Sequence, residues 1–200
     1  MKRILIIIFI GFAFLQWIVP LKMIYDNQKI INKGRTVKFK TAPLDPSNPF
    51  IGKYVLLKFD EETIKTNSNK LLSRGEEIFV SLSEDNRGFV HPIGLSKVAP
   101  QNGKLYVKAN VYYSQFEGNQ QSVMLDYPFN KFYMDEYKVP KAERVYQESN
   151  SNMQKQDVYA LVNLLDGDGI IRDIIINDTS ITELVKRNRF GGNHAVESGP

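Results

Sequence analysis

Residues 158–176 read VYALVNLLDGDGIIRDIII, and this stretch decides the fold class. Two runs rich in Val, Ile and Leu flank Asp166-Gly167-Asp168-Gly169, residue types that tolerate the positive φ of a tight turn. The second run is too β-branched to favour a helix, so the pair reads as a β-hairpin, 158–165 against 170–176.

The same period-two pattern recurs upstream, in short runs separated by Gly, Pro, Asn and Asp. Val37 and Phe39 alternate within 36–40, and 54–59 reads YVLLKF. Ile78, Val80 and Leu82 fall on one face of a strand, as do Leu105, Val107, Ala109, Val111 and Tyr113 on another. Two helices are expected. Residues 140–150 (PKAERVYQESN) open on a proline suited to a first helical turn, and Ser180-Ile181-Thr182-Glu183 has the form of a capping box before LVKRN. The fold class read from these patterns is mainly β with a minor α part: one domain over 26–190 and a frayed polar tail over 191–200.

Residues 4–21, ILIIIFIGFAFLQWIVPL, are apolar except for Gln16 and follow Met1-Lys2-Arg3. Extended to Tyr25 the run is 22 residues, about 33 Å as a helix, against a hydrocarbon core of about 30 Å. Residues 1–25 therefore read as a single-pass transmembrane signal-anchor. Trp17, Lys22 and Tyr25 stand at its far end, where such side chains favour the interface. A cleaved signal peptide would want small residues at its exit; Val19-Pro20-Leu21-Lys22 supplies bulky and charged ones.

The chain has 200 residues and a net charge of +4. Lys2, Arg3 and Lys22 fall in the first 25 residues, which hold no acid, so the remainder carries 23 basic against 22 acidic residues. The folded part is thus nearly neutral, without the basic stripe of a nucleic-acid binder. No cysteine is present, which excludes disulfides, thiolate metal sites and cysteine nucleophiles. Five basic residues between Lys29 and Lys40 would by count hold the C-terminal side in the cytoplasm. The short cationic N-terminus with its signal-like core argues for the reverse.

Residues 45–59, DPSNPFIGKYVLLKF, form a loop-to-strand corner with two X-Pro turns and a glycine. Gly52, Tyr54 and Leu57 stand in register with the motif of the GDYXXLXY proteins, which this stretch resembles. Lys53 replaces the motif aspartate, and Phe59 replaces the last tyrosine, keeping the ring without the hydroxyl. Arg74-Gly75-Glu76 before IFVSL, Phe132-Tyr133 followed by Glu136, Glu143, and the closing Asp-Gly hairpin are similar to the family's later pattern. The resemblance implies a membrane-anchored protein without assigned activity, with its domain outside the cytoplasm, at the inner membrane, beside a multi-pass membrane partner. The candidate binding residues are accordingly Asp45, Gly52, Lys53, Tyr54, Leu57, Phe59, Arg74, Glu136 and Glu143.

A second likeness is to the layout of type I signal peptidases, whose β-rich domain uses a Ser/Lys dyad. At the nucleophile's offset from Gly52 this chain has Leu44, followed by Asp45, and IFVSLSEDNRGF holds no lysine to act as the base. Ser47 is the nearest hydroxyl to the corner. The reading is therefore a non-catalytic accessory or interaction protein with no cofactor and no metal. The alternative is a divergent membrane-bound hydrolase on such a scaffold.

His91 and His194 are the only histidines, too few and too scattered for a His-based metal site or a triad. Asp166 and Asp168 lack the acid at the twelfth position of a calcium loop, where Asn177 stands. Asp135, Glu136 and Glu143 sit among Lys138, Lys141 and Arg144, as on a solvated charged surface. The aromatics Phe129, Phe132, Tyr133 and Tyr137, with Tyr112, Tyr113 and Phe116, are expected mainly as core.

Overall fold

The computed structural model describes residues 2–42, 54–67, 71–101, 103–118, 120–151 and 157–187, without the side chains of 2–8, 10, 150, 151 and 187. In chain order the elements are α1 (Lys2–Lys33), β1 (Arg35–Ala42), β2 (Tyr54–Leu56), β3 (Lys58–Phe59), β4 (Thr63–Thr66), β5 (Glu77–Glu84) and β6 (Val90–Ser96). There follow β7 (Tyr106–Glu117), β8 (Gln120–Asp126), β9 (Lys131–Tyr133), α2 (Val139–Ser151), β10 (Val158–Leu165), β11 (Asp168–Ile176), β12 (Thr179–Ser180) and α3 (Ile181–Arg187). A 3-10 turn, Asp60–Glu62, links β3 to β4.

The hairpin that decides the fold class forms as expected. β10 pairs antiparallel with β11, with Leu165 opposite Asp168. The two residues between them, Asp166 and Gly167, both take positive φ, 53° and 84°, which matches the twist of the flanking strands. One five-stranded sheet runs β12-β11-β10-β1-β3, another runs β4-β8-β7-β5-β6, and β2 pairs with β9. Val37 and Phe39 from the first sheet, Ile78, Val80, Val107 and Val123 from the second, and Val55 and Phe132 from the β2–β9 pair fill one core. α2 adds Val139, Ala142 and Tyr146 to the buried residues, a helical spacing that lays one stripe inward. At α3, Ser180 Oγ accepts the Thr182 N–H at 3.2 Å, the N-cap bond expected there.

One strand departs from the simple alternation. Val107, Ala109 and Val111 are buried, but Tyr113 is 53% exposed. A bulge between Val111 and Tyr113 shifts the β7–β8 register and turns the later side chains over.

α1 continues eight residues past the expected end at Tyr25 and stops at Lys33. No helix-breaking residue intervenes until Gly34, whose N–H closes the last turn onto the Ile30 carbonyl at 2.9 Å. A Cβ at this position would lie 2.4 Å from that same oxygen, so glycine permits the chain to leave the helix directly into β1. The helix end is then held to the first sheet. Ile30 is buried, Lys29 pairs with Asp166 at 3.6 Å, and the buried Asn163 donates to the Ile31 carbonyl at 3.0 Å. Asn163 Oδ1 in turn accepts from Thr36 Oγ1 at 2.8 Å.

Among the described residues no helix is long and apolar enough to cross a membrane. The expected span over 4–21 begins among side chains outside the described residues, so what stands is an N-terminal α-helix and a mainly β domain.

Candidate functional site

The motif strand is built by alternation. Val55, Leu57 and Phe59 turn inward and are each 2% exposed or less, while Tyr54, on the opposite face of the strand, is half-buried. The β2–β9 register sets Tyr54 opposite Tyr133. Their rings lie 5.4 Å apart, tilted by 60°, and Lys131 Nζ sits 4.9 Å from the Tyr54 centroid. Tyr133 is 67% exposed. Two residues named separately in the sequence, Tyr54 and Tyr133, thus form one outward aromatic pair with a cation over it, a surface suited to contact. Of the other motif positions, Asp45, Gly52 and Lys53 lie outside the described residues, as does Ser47.

Beneath the strand, the inward residues are core. The Leu57 N–H donates to the Asn130 carbonyl at 2.8 Å, extending the contact between the two segments. Phe59 packs against Phe39, Tyr127 and Phe129 with centroids 5.5 to 6.0 Å away. The ring that replaces the motif tyrosine is thus held by ring contacts within the core. Tyr127 does carry a hydroxyl there, and it donates to the Glu61 carbonyl at 2.9 Å. Burial, with the charges of Glu61 and Glu62 behind it, holds the Tyr127 phenol far above its usual range.

Glu61 is the chemically unusual residue. It is 93% buried by its 7% exposure, and its Oε2 has no hydrogen-bond partner among the described residues. Desolvation pushes the carboxyl up to about 7; Asp60 and Glu62 add to the rise, while its own backbone N–H and Lys40 oppose it. His91 Nδ1 stands 3.8 Å from Oε1 and His91 Nε2 is 3.9 Å from Asp85 Oδ2. Asp85 is held below the usual carboxylate range, chiefly by the Phe89 N–H, with a second bond from the Arg87 N–H. No sequence signal marks Glu61. It stands among three adjacent acids, Asp60-Glu61-Glu62, and only the tertiary packing selects which of the three turns inward.

The remaining candidates do not converge. Arg74 lies in a turn with its guanidinium 5.2 Å from the Tyr112 ring. Glu76 accepts from the Ser73 N–H at 3.0 Å and pairs with Lys97. Glu136 is exposed between β9 and α2, beside the Asp135–Lys138 pair. Glu143 is half-buried on α2, raised by desolvation, and accepts from Gln147 Nε2 at 3.4 Å. Asp166 pairs with Lys29, and Asp168 with Lys108 at 2.9 Å. His91 is exposed, and His194 lies outside the described residues. Among the described residues no three His, Cys, Asp or Glu side chains are grouped to hold a metal ion.

The aromatic set divides rather than forming core throughout. Phe129 and Phe132 are buried, whereas Tyr112, Tyr113, Phe116, Tyr133 and Tyr137 are at least half exposed. In β9 the cause is alternation, Phe132 facing in and Tyr133 out; in β7 it is the bulge.

The family model of the GDYXXLXY protein matches residues 16–174, well over half of the chain. The chain belongs to that family. No curated protein and no solved structure matches it.

Proposed function

We propose that this member of the GDYXXLXY family is a single-pass membrane protein whose β domain binds and supports another membrane protein, without chemistry of its own. The observation that carries the proposal is the surface of α1. Phe9, Phe12, Phe14, Leu15, Trp17, Ile18, Val19, Leu21, Met23, Ile24 and Tyr25 are each 57–73% exposed. At 100° per residue these positions point in every direction around the helix. A helix packed on a domain through one face has an apolar stripe, not an apolar circumference. Burying eleven such side chains is worth roughly 20 kcal/mol at about 2 kcal/mol each, and a bilayer is the solvent that supplies it.

The contact face for the partner is the Tyr54–Tyr133 pair. It lies on the family motif, outside the core, and presents rigid aromatic area beside Lys131, features that favour protein–protein contact. The domain lies outside the cytoplasm at the inner membrane, and the partner is a multi-pass protein of the same membrane. Fractionation tests the anchor. Alkaline carbonate should leave the full chain in the membrane pellet, and a reporter that works only outside the cytoplasm, fused at Pro200, should be active. A chain released by carbonate overturns the anchor, and a silent reporter overturns the orientation.

A further inference from the structure

We propose that the cleft at the foot of α1 binds the phosphate-bearing headgroup of an anionic lipid, an inference that rests on reading α1 as a membrane anchor. Two adjoining hollows of about 350 and 450 Å³ meet there and share Arg35, Lys104 and Leu105. Lys33, the last residue of α1, lines the first hollow together with the β10–β11 turn.

The charge in the cleft is unevenly committed. Glu84 is paired with Arg35, and Asp166 with Lys29. Lys33 and Lys104 are both exposed and have no carboxylate partner among the described residues. Two lysines without a carboxylate partner among the described residues therefore line the cleft, beside a guanidinium that can bridge a carboxylate and a phosphate at once.

Position selects a lipid over a free ion. Lys33 is eight residues beyond Tyr25, about 12 Å along the helix; if the apolar run fills the hydrocarbon core, its backbone stands about 5 Å beyond a headgroup layer about 5–7 Å deep, a gap that a lysine stem can span by reaching back toward the phosphates. The Lys29–Asp166 pair ties the hairpin turn one helical turn nearer still. Ile93, in the wall of the second hollow, is 67% exposed, and Val98, in the loop leading to Pro100 of the first, is 70% exposed. Cations beside isolated exposed aliphatic side chains suit the interfacial region of a membrane, where the charge meets phosphate.

The test uses the full-length chain in nanodiscs of equal phosphatidylcholine and phosphatidylglycerol, released into mild detergent, with retained lipid read by native mass spectrometry. Phosphatidylglycerol should be retained in preference, and Lys33→Gln with Lys104→Gln should lower its retention about thirtyfold. The corresponding Lys→Arg pair should keep it, since the charge remains. Equal retention of the two lipids, or undiminished retention in the Gln pair, overturns the inference while leaving the anchor intact. Displacement of the lipid by millimolar inorganic phosphate would assign the cleft to free phosphate and overturn the lipid source. A chain that does not enter the discs overturns the anchor reading, and the inference with it.

Discussion

Replacing Glu61 by Gln should stabilise the protein at alkaline pH and leave it nearly unchanged in acid. Glu61 is buried, with Oε2 unpartnered among the described residues, and its carboxyl is pushed up from 4.5 to about 7 by desolvation. Between those values the folded chain holds a proton that the unfolded chain has released. Stability then falls as pH rises, and the full loss is reached above about pH 7. At 1.36 kcal/mol per pH unit, the span from 4.5 to about 7 corresponds to about 3 kcal/mol. Glutamine keeps the shape and the polarity without the charge, so the gap between variant and parent should open from near zero below pH 4.5 to about 3 kcal/mol above pH 7.

For a domain of this size that is about 6–12 °C in the unfolding midpoint, readable by circular dichroism of the full chain in detergent. Glu62 and Glu143 are also raised by burial and slope the same way, whereas Asp85 and Asp135 are lowered and slope the other way. All four are common to parent and variant, so the difference reads Glu61 together with its coupling to the neighbouring Glu62. A gap that does not change with pH, or a Gln variant less stable than the parent at pH 8, would mean that burial does not hold the Glu61 carboxyl protonated. The second result would mean that the carboxylate is stabilised in place as an anion, with His91 at 3.8 Å the first neighbour to suspect.

Asn163→Ala should lower stability by about 1–3 kcal/mol, because it removes the buried donor to the Ile31 carbonyl and the acceptor of Thr36; limited proteolysis near Lys33 should become faster in the same variant. Gly34→Ala places a carbon 2.4 Å from the Ile30 oxygen and should cost about 1–3 kcal/mol in thermal unfolding, and an unchanged midpoint would mean that the helix end shifts freely. A serine-reactive covalent probe applied to active membranes should leave the chain unlabelled. Labelling that disappears in Ser47→Ala would replace the interaction reading by a hydrolase.

Much of the architecture is legible because its rules are local. The alternation in 36–40 and 78–82, the Asp-Gly turn and the Ser180 cap each depend on residues a few positions apart, and each appears where expected. The exceptions depend on distant partners. The end of α1 is set by Gly34 meeting Leu164 and by Asn163 reaching Ile31, and neither contact has a signature in the sequence around Tyr25. The bulge that exposes Tyr113 is a mismatch between two strands rather than a property of one. The candidate site follows the same division. Tyr54 could be singled out from its motif and Tyr133 from its own, but only the β2–β9 register makes them one surface. Leu57 and Phe59, singled out with them, are packing residues. Glu61 went unmarked because burial of one acid among three adjacent ones is decided by the sheets around it.

Docking of another membrane protein through the Tyr54–Tyr133 face is open to site-specific photocrosslinking in native membranes. A photoreactive residue at position 133, with one at position 113, also more than half exposed, as control, should give from 133 alone a single adduct with a multi-pass membrane protein. No adduct from 133, or the same adducts from both positions, would contradict the account.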